Sequence, residues 1–228
     1  MNDTQAEKIE IAVWDWPVRV VHWSLVALVA TSITTGLTGG EATMVWHMRA
    51  GETLLALVLF RILWGFVGSR NARFTSFLRG PAKVTAYLKS VLRPPRTQHA
   101  AHNPIGGWMV VALLVALLAQ CCLGLFTHDE VMSEGPLVKL VSENLSDVLS
   151  WLHRRGWWVV AGLASVHIVA VTWYFVALDE NIVYPMVSGT KKLPPAAGNS
   201  SDAAASTSRA LMLLALCALA VWWTVNRL

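Results

Sequence analysis

Apolar residues along this chain gather into long blocks separated by polar stretches, and the block lengths set the first expectations. A helix needs about 20 mostly apolar residues to cross roughly 30 Å of hydrocarbon. Four blocks meet that requirement, at residues 18–37, 45–67, 106–126 and 154–177. A fifth, RALMLLALCALAVWWTVN at 209–226, is shorter but almost pure Leu, Ala and Val, with Trp222 and Trp223 at its far end. Between the fourth and fifth, SGTKKLPPAAGNSSDAAASTS has no apolar period and reads as a flexible linker. The pattern predicts an all-α integral membrane protein. Its parts are a tail at 1–17, a four-helix transmembrane bundle at 18–187, a linker at 188–208 and a fifth transmembrane segment at 209–228.

Composition agrees. Hydrophobic residues make up 55% and charged residues 14% of the chain, where a soluble domain carries about a quarter charged residues. The net charge of +4 does not point to nucleic acid, because the basic residues concentrate in one loop between apolar blocks. Many of the 12 Trp stand near block ends, where indoles favour the interface. Cys121 and Cys122 are adjacent in an apolar run and Cys217 lies in another; neighbours on a helix point about 100° apart, so these read as small buried residues. MNDTQAEKIEIAVWDWP lacks a basic start followed by an apolar core and a cleavage site, so it reads as a short cytoplasmic tail.

Loop charge predicts the orientation. Residues 69–105 carry Arg70, Arg73, Arg79, Lys83, Lys89, Arg93 and Arg96 and no acid, which the positive-inside rule places in the cytoplasm. The stretch 127–150 holds Asp129, Glu130, Glu134, Glu143 and Asp147 against Lys139 and belongs outside, leaving the N-terminus cytoplasmic. Within the basic loop, PAKVTAYLKSVL places Pro81 at a first helical position and repeats Val84, Tyr87, Leu88, Val91 and Leu92 at helical spacing. A short amphipathic helix lying on anionic lipid is expected there.

Histidines then sort by depth. His22 stands near the inner end of the first helix, His47 begins the second at the outer side, His153 opens the fourth there, and His167 lies deeper. His153 and His167 are fourteen positions apart, which at about 1.5 Å and ~100° per residue puts them roughly 21 Å apart along the axis, on one face. Two pairs emerge: His47 with His153 outside, His22 with His167 inside. Ionisable side chains within a bilayer are costly and point to function. Zinc prefers a closed tetrahedron of Cys, His and carboxylate, and no Cys or acid falls at either level with useful spacing. Haem needs only two axial ligands from the protein, so four imidazoles in two pairs suit two haems that carry electrons and leave no site for oxygen. Gly51, one turn after His47, and Gly156 and Gly162 in the fourth helix would let a flat macrocycle approach.

Arg61 lies fourteen positions after His47, on the same face of the second helix but near the inner level. Its burial in a membrane costs about 2.5–3.5 kcal/mol on insertion scales, which a haem propionate would offset. Arg19, one turn before His22, and Arg49, Arg154 and Arg155 at the outer level could serve other propionates. His99 and His102 sit in the basic loop and are expected to be solvated.

VWDWPVRVVHW around His22, WHMRAGETLLALVLFRILWGFVGSRNARFTSFLRGP from His47, and AHNPIGGW before the third helix resemble the bacterial cytochrome b561 family. That family includes the b-type cytochrome subunits of nickel-iron hydrogenases. The resemblance covers about residues 11–190 and implies a four-helix core holding two b haems, with His22, His47, His153 and His167 at the ligand positions. It implies electron transfer across the bacterial cytoplasmic (inner) membrane between quinone and a partner. The short loop between helices 1 and 2 and the RFTSFLRGP run look most like members serving small periplasmic c-type cytochromes. A hydrogenase b subunit and a superoxide-to-quinone oxidoreductase are the alternatives within the family. Quinone chemistry requires proton exchange, for which Glu52 and His128 are candidates. Membrane lipid, quinone, a periplasmic redox protein and a second copy of the chain are the expected partners. An ion or proton transporter, or a haem-free anchor, is the rival from another class; bound haem separates both from this reading.

Overall fold

The computed structural model describes residues 9–91, 103–128, 133–193 and 205–227. Strand β1 (Ile9–Ala12) leads into α1 (Trp16–Thr38), α2 (Glu41–Val67), the short α3 (Phe74–Phe77) and α4 (Pro81–Val91). They are followed by α5 (Pro104–Gly124), α6 (Glu143–Ala177), α7 (Val183–Ser188), β2 (Thr190–Leu193) and α8 (Thr207–Arg227). Helices α1, α2, α5, α6 and α8 are each long and apolar enough to cross a membrane, so all five expected spans are present.

The helix ends follow local chemistry. Asp15 caps α1, its Oδ1 accepting from Val18 N at 2.9 Å, and Pro17 sits in the first turn, where a missing N–H costs nothing. Oδ2 of the same buried carboxylate accepts from Trp64 Nε1 at 2.9 Å, which ties the start of α1 to the end of α2. Asn103 caps α5 in the same way, accepting from Gly106 N at 2.7 Å. The turn between α1 and α2 uses Gly39 and Gly40 at φ +68° and +89°, angles that a side chain would strain.

Helix α2 is central. Half of its apolar window is buried, against 6–17% for the other four spans. Leu54 and Val58 pack on Leu114 and Leu117 of α5 and Val160 of α6. Phe60 and Trp64 join Val18 and Val21 of α1 with Ala210 and Cys217 of α8, and Leu55 and Ala56 meet Val221. The fifth helix is therefore packed along α2, with Trp16 Nε1 donating to Thr207 Oγ1 at 3.3 Å.

Three features differ from the sequence reading. Helix α6 starts at Glu143, eleven residues before the apolar block at 154, so part of the expected loop at 127–150 is helical. Its early turns are held from the side: Ser146 Oγ donates to Phe126 O at 2.7 Å and His128 N donates to Ser150 Oγ at 3.0 Å, both serines being buried. A hydropathy window does not register such turns. Second, β1 and β2 pair antiparallel, Ile9 opposite Leu193 and Ala12 opposite Thr190, so the end of the expected tail clasps the start of the expected linker. Third, α4 has the amphipathic pattern but is also fastened to the bundle, because Tyr87 hydrogen-bonds Tyr174 of α6 and, just before α4 begins, Arg79 O accepts from Trp108 Nε1 at 2.9 Å. His99 and His102 lie outside the described residues.

Candidate functional site

Three helices bring the four histidines together in the expected pairs. His47 on α2 faces His153 on α6 with ring centroids 5.9 Å apart. His22 on α1 faces His167 on α6 at 6.4 Å. These are called here the far and near levels, the near one lying at the end where the chain enters α1. Imidazole nitrogens bind a metal at about 2.0–2.1 Å, so two rings on opposite sides of one metal ion have centroids roughly 6 Å apart. Both pairs have that separation.

At the far level the outward nitrogens are occupied. His47 Nδ1 lies 2.9 Å from Ser32 O and His153 Nδ1 lies 3.0 Å from Gln120 O. A carbonyl oxygen only accepts, so each Nδ1 carries the hydrogen and each Nε2 keeps its lone pair. This is the arrangement by which an outer partner fixes the tautomer and aim of a metal-binding imidazole. At the near level His22 Nδ1 is buried without a hydrogen-bond partner among the described residues.

The far pair lines a cavity of 480 Å³, together with Leu54, Leu55, Leu117 and Val160 among others. Glycines shape it. A Cβ on Gly36 would lie 3.1 Å from His47 Cε1, and one on Gly124 would lie 2.9 Å from His153 Cε1. Gly51 also lines the cavity, and a Cβ there would meet nothing within 4 Å. The space beside His47 is thus open where a flat ring would need it. Gly156 has a different use from the one expected, admitting the side chain of Gln120, whose Nε2 donates to His153 O at 2.9 Å. Gly162 is exposed. Among the described residues no group of three or more His, Cys, Asp or Glu could hold a metal ion. Paired imidazoles, fixed tautomers and a glycine-lined apolar slot fit a haem.

The cations divide. Arg61 is buried, with Nη1 3.4 Å from Ala72 O and its guanidinium over the Phe74 ring at 5.7 Å. Arg19 donates to Val187 O at 2.5 Å while its buried Nε has no partner among the described residues. Arg49 pairs with Glu52 at 3.3 Å. Arg154 lines the far cavity, and Arg155 lies over Trp151. Glu52 and His128 line the far cavity as well. Sequence reasoning missed Gln120, Gly36 and Gly124. Gln120 interrupts the apolar run VVALLVALLAQCCLG, and that interruption was the available signal.

A family model described as prokaryotic cytochrome b561 matches residues 13–189. The chain belongs to this family. As a b561-type cytochrome it is a multi-pass membrane protein that uses b-type haem for electron transfer. It is 26% identical over 216 residues to a probable Ni/Fe-hydrogenase B-type cytochrome subunit of Bradyrhizobium diazoefficiens, covering 80% of this chain and 86% of that one. It is 25% identical over 213 residues to a probable Ni/Fe-hydrogenase 1 B-type cytochrome subunit of Escherichia coli K12, covering 78% and 88%. No solved structure matches the chain.

Proposed function

We propose that this b561-type cytochrome binds two haems, one between His22 and His167 and one between His47 and His153. It would pass electrons across a bacterial inner membrane between quinone and a periplasmic redox protein such as a c-type cytochrome. The observation that carries the reading is the repeated pair: two imidazoles at 5.9 Å and two at 6.4 Å, at levels about 21 Å apart on α6 by helical rise. Haem held by these histidine pairs would supply a one-electron carrier. The chain does the rest. Ser32 and Gln120 carbonyls hold the far imidazoles in one tautomer, Gly36, Gly51 and Gly124 leave the slot open, and the surrounding Leu and Val side chains make it apolar. Arg19, with its Nε unpaired among the described residues, and Arg61 would face propionates at the near level. The acid-free stretch 69–105 against the acidic 127–150 supports a cytoplasmic N-terminus, with the far level toward the periplasm.

A second reading replaces the c-type cytochrome with a hydrogenase, favoured by the names of the relatives. The test mixes purified holoprotein with a quinol, follows haem reduction, then adds an oxidised c-type cytochrome or a nickel-iron hydrogenase. Rapid haem reoxidation by the cytochrome supports the first reading. Exchange with hydrogenase alone supports the second, and no reduction by quinol overturns the quinone assignment.

A further inference from the structure

The far cavity has one polar side that the paired imidazoles do not use. His128, just past the end of α5, lines that cavity, and its Nε2 lies 2.9 Å from Asp147 Oδ1 on the first turns of α6. The imidazole is 18% exposed and the carboxylate 55% exposed, so the pair runs from the cavity wall to the protein surface. The backbone beneath it is pinned on both sides. His128 N donates to Ser150 Oγ at 3.0 Å, Gly135 N to Thr127 O at 2.7 Å and Leu137 N to Leu125 O at 2.8 Å. The early start of α6 creates this arrangement, since Asp147 and Ser150 belong to its extra turns.

We propose that His128 and Asp147 form a proton-exchange pair that compensates electron charge at the far level. The inference rests on the reading that His47 and His153 hold a haem. With Nε2–H given to Asp147, Nδ1 of His128 is the acceptor. For each electron delivered to the far level by quinol or reduced partner, His128 Nδ1 gains one proton from outside water. The bond to Asp147 stays in place, and its carboxylate stabilises the imidazolium that forms. On reoxidation the proton returns to water. Added negative charge in the cavity favours protonation of a base in its wall, and His128 is one. Among the described residues, the other charged groups around the cavity are Glu134, whose backbone pairs with that of His128, Glu52 on α2 and Arg154 on α6. Glu52 is already engaged by Arg49.

The test is a spectroelectrochemical titration of the purified holoprotein across about pH 5–8, where imidazole ordinarily titrates. In the unaltered protein the midpoint potential of one haem should fall as pH rises, because reduction and protonation assist each other. In His128→Gln, with haem content unchanged, the curve should flatten. In Asp147→Asn the curve should depart from the original, since Nε2–H of His128 no longer has a carboxylate partner. Redox-difference infrared spectra should show imidazolium bands that His128→Gln removes. A haem-replete His128→Gln protein that follows the original curve overturns the proposal, as does flattening in Glu52→Gln alone. If His128→Gln does not fold, an Asp147→Asn curve identical to the original overturns it. An unaltered protein without haem overturns the underlying dihaem reading instead.

Discussion

Gln120 and His153 hold each other twice, His153 Nδ1 donating to the Gln120 carbonyl at 3.0 Å and Gln120 Nε2 donating back to the His153 carbonyl at 2.9 Å. The first bond aims the imidazole; the second ties α5 to α6 at the same height. Because the aiming bond uses backbone, a side-chain change removes only the second. Outer partners of metal ligands are worth about 10–100-fold in affinity when lost outright. Gln120→Leu is therefore expected to weaken far-level haem by less than about tenfold and to alter the low-spin electron paramagnetic resonance signal of that haem alone. A haem titration with the spectrum recorded alongside checks this.

Gly51 offers a sharper separation of folding from haem binding. A Cβ there meets nothing within 4 Å, and replacing a mid-helix glycine by alanine gains roughly 0.5–1 kcal/mol of helix stability. Gly51→Leu is expected to fold normally and to lose the far-level haem, because its side chain occupies the slot. The readouts are haem stoichiometry and thermal unfolding in detergent. Gly124→Ala should also lose that haem, by pushing on His153 Cε1 at 2.9 Å.

Asp15 is a stability prediction away from the sites. It caps α1 and accepts the Trp64 indole N–H. Loss of the cap costs about 1 kcal/mol, and an unsatisfied buried donor about 1–3 kcal/mol. Asp15→Ala should therefore lower the denaturant midpoint markedly with both haems still bound, while Asp15→Asn keeps most of the stability.

Helix α8 contributes no imidazole, yet Ala210, Cys217 and Val221 are buried against the bundle. Removing residues 205–228 is expected to leave the haem count unchanged and lower the thermal midpoint. Cys217→Trp, which overpacks the same seam, should cost about 1–3 kcal/mol.

The five spans and the four histidines were legible in the sequence because both signals are strong in a membrane. Each span needs a long apolar block, and an imidazole within one is costly enough to demand a reason. Pairing by depth followed from fourteen-residue spacing on a single helix. The rest depended on contacts between segments. The polar start of α6 is stabilised by Phe126 and His128, which no window over residues 143–153 contains. The strand Thr190–Leu193 takes its pairing from Ile9–Ala12, so the Lys-Lys it carries resembled linker. Gly36 and Gly124 matter because a histidine from another helix lies against each. Arg61 was readable as a costly charge, but its neighbours Ala72 and Phe74 come from the turn that folds back beneath α2.

The most direct measurement is the number of b haems per chain by pyridine haemochrome, in the purified protein and in His22→Ala, His47→Ala, His153→Ala and His167→Ala. The account predicts two in the unaltered protein and one in each variant. It also predicts that His47→Ala and His153→Ala retain one spectrum, and His22→Ala and His167→Ala the other. A single haem in the unaltered protein, or variants that group differently, would contradict the two-level arrangement.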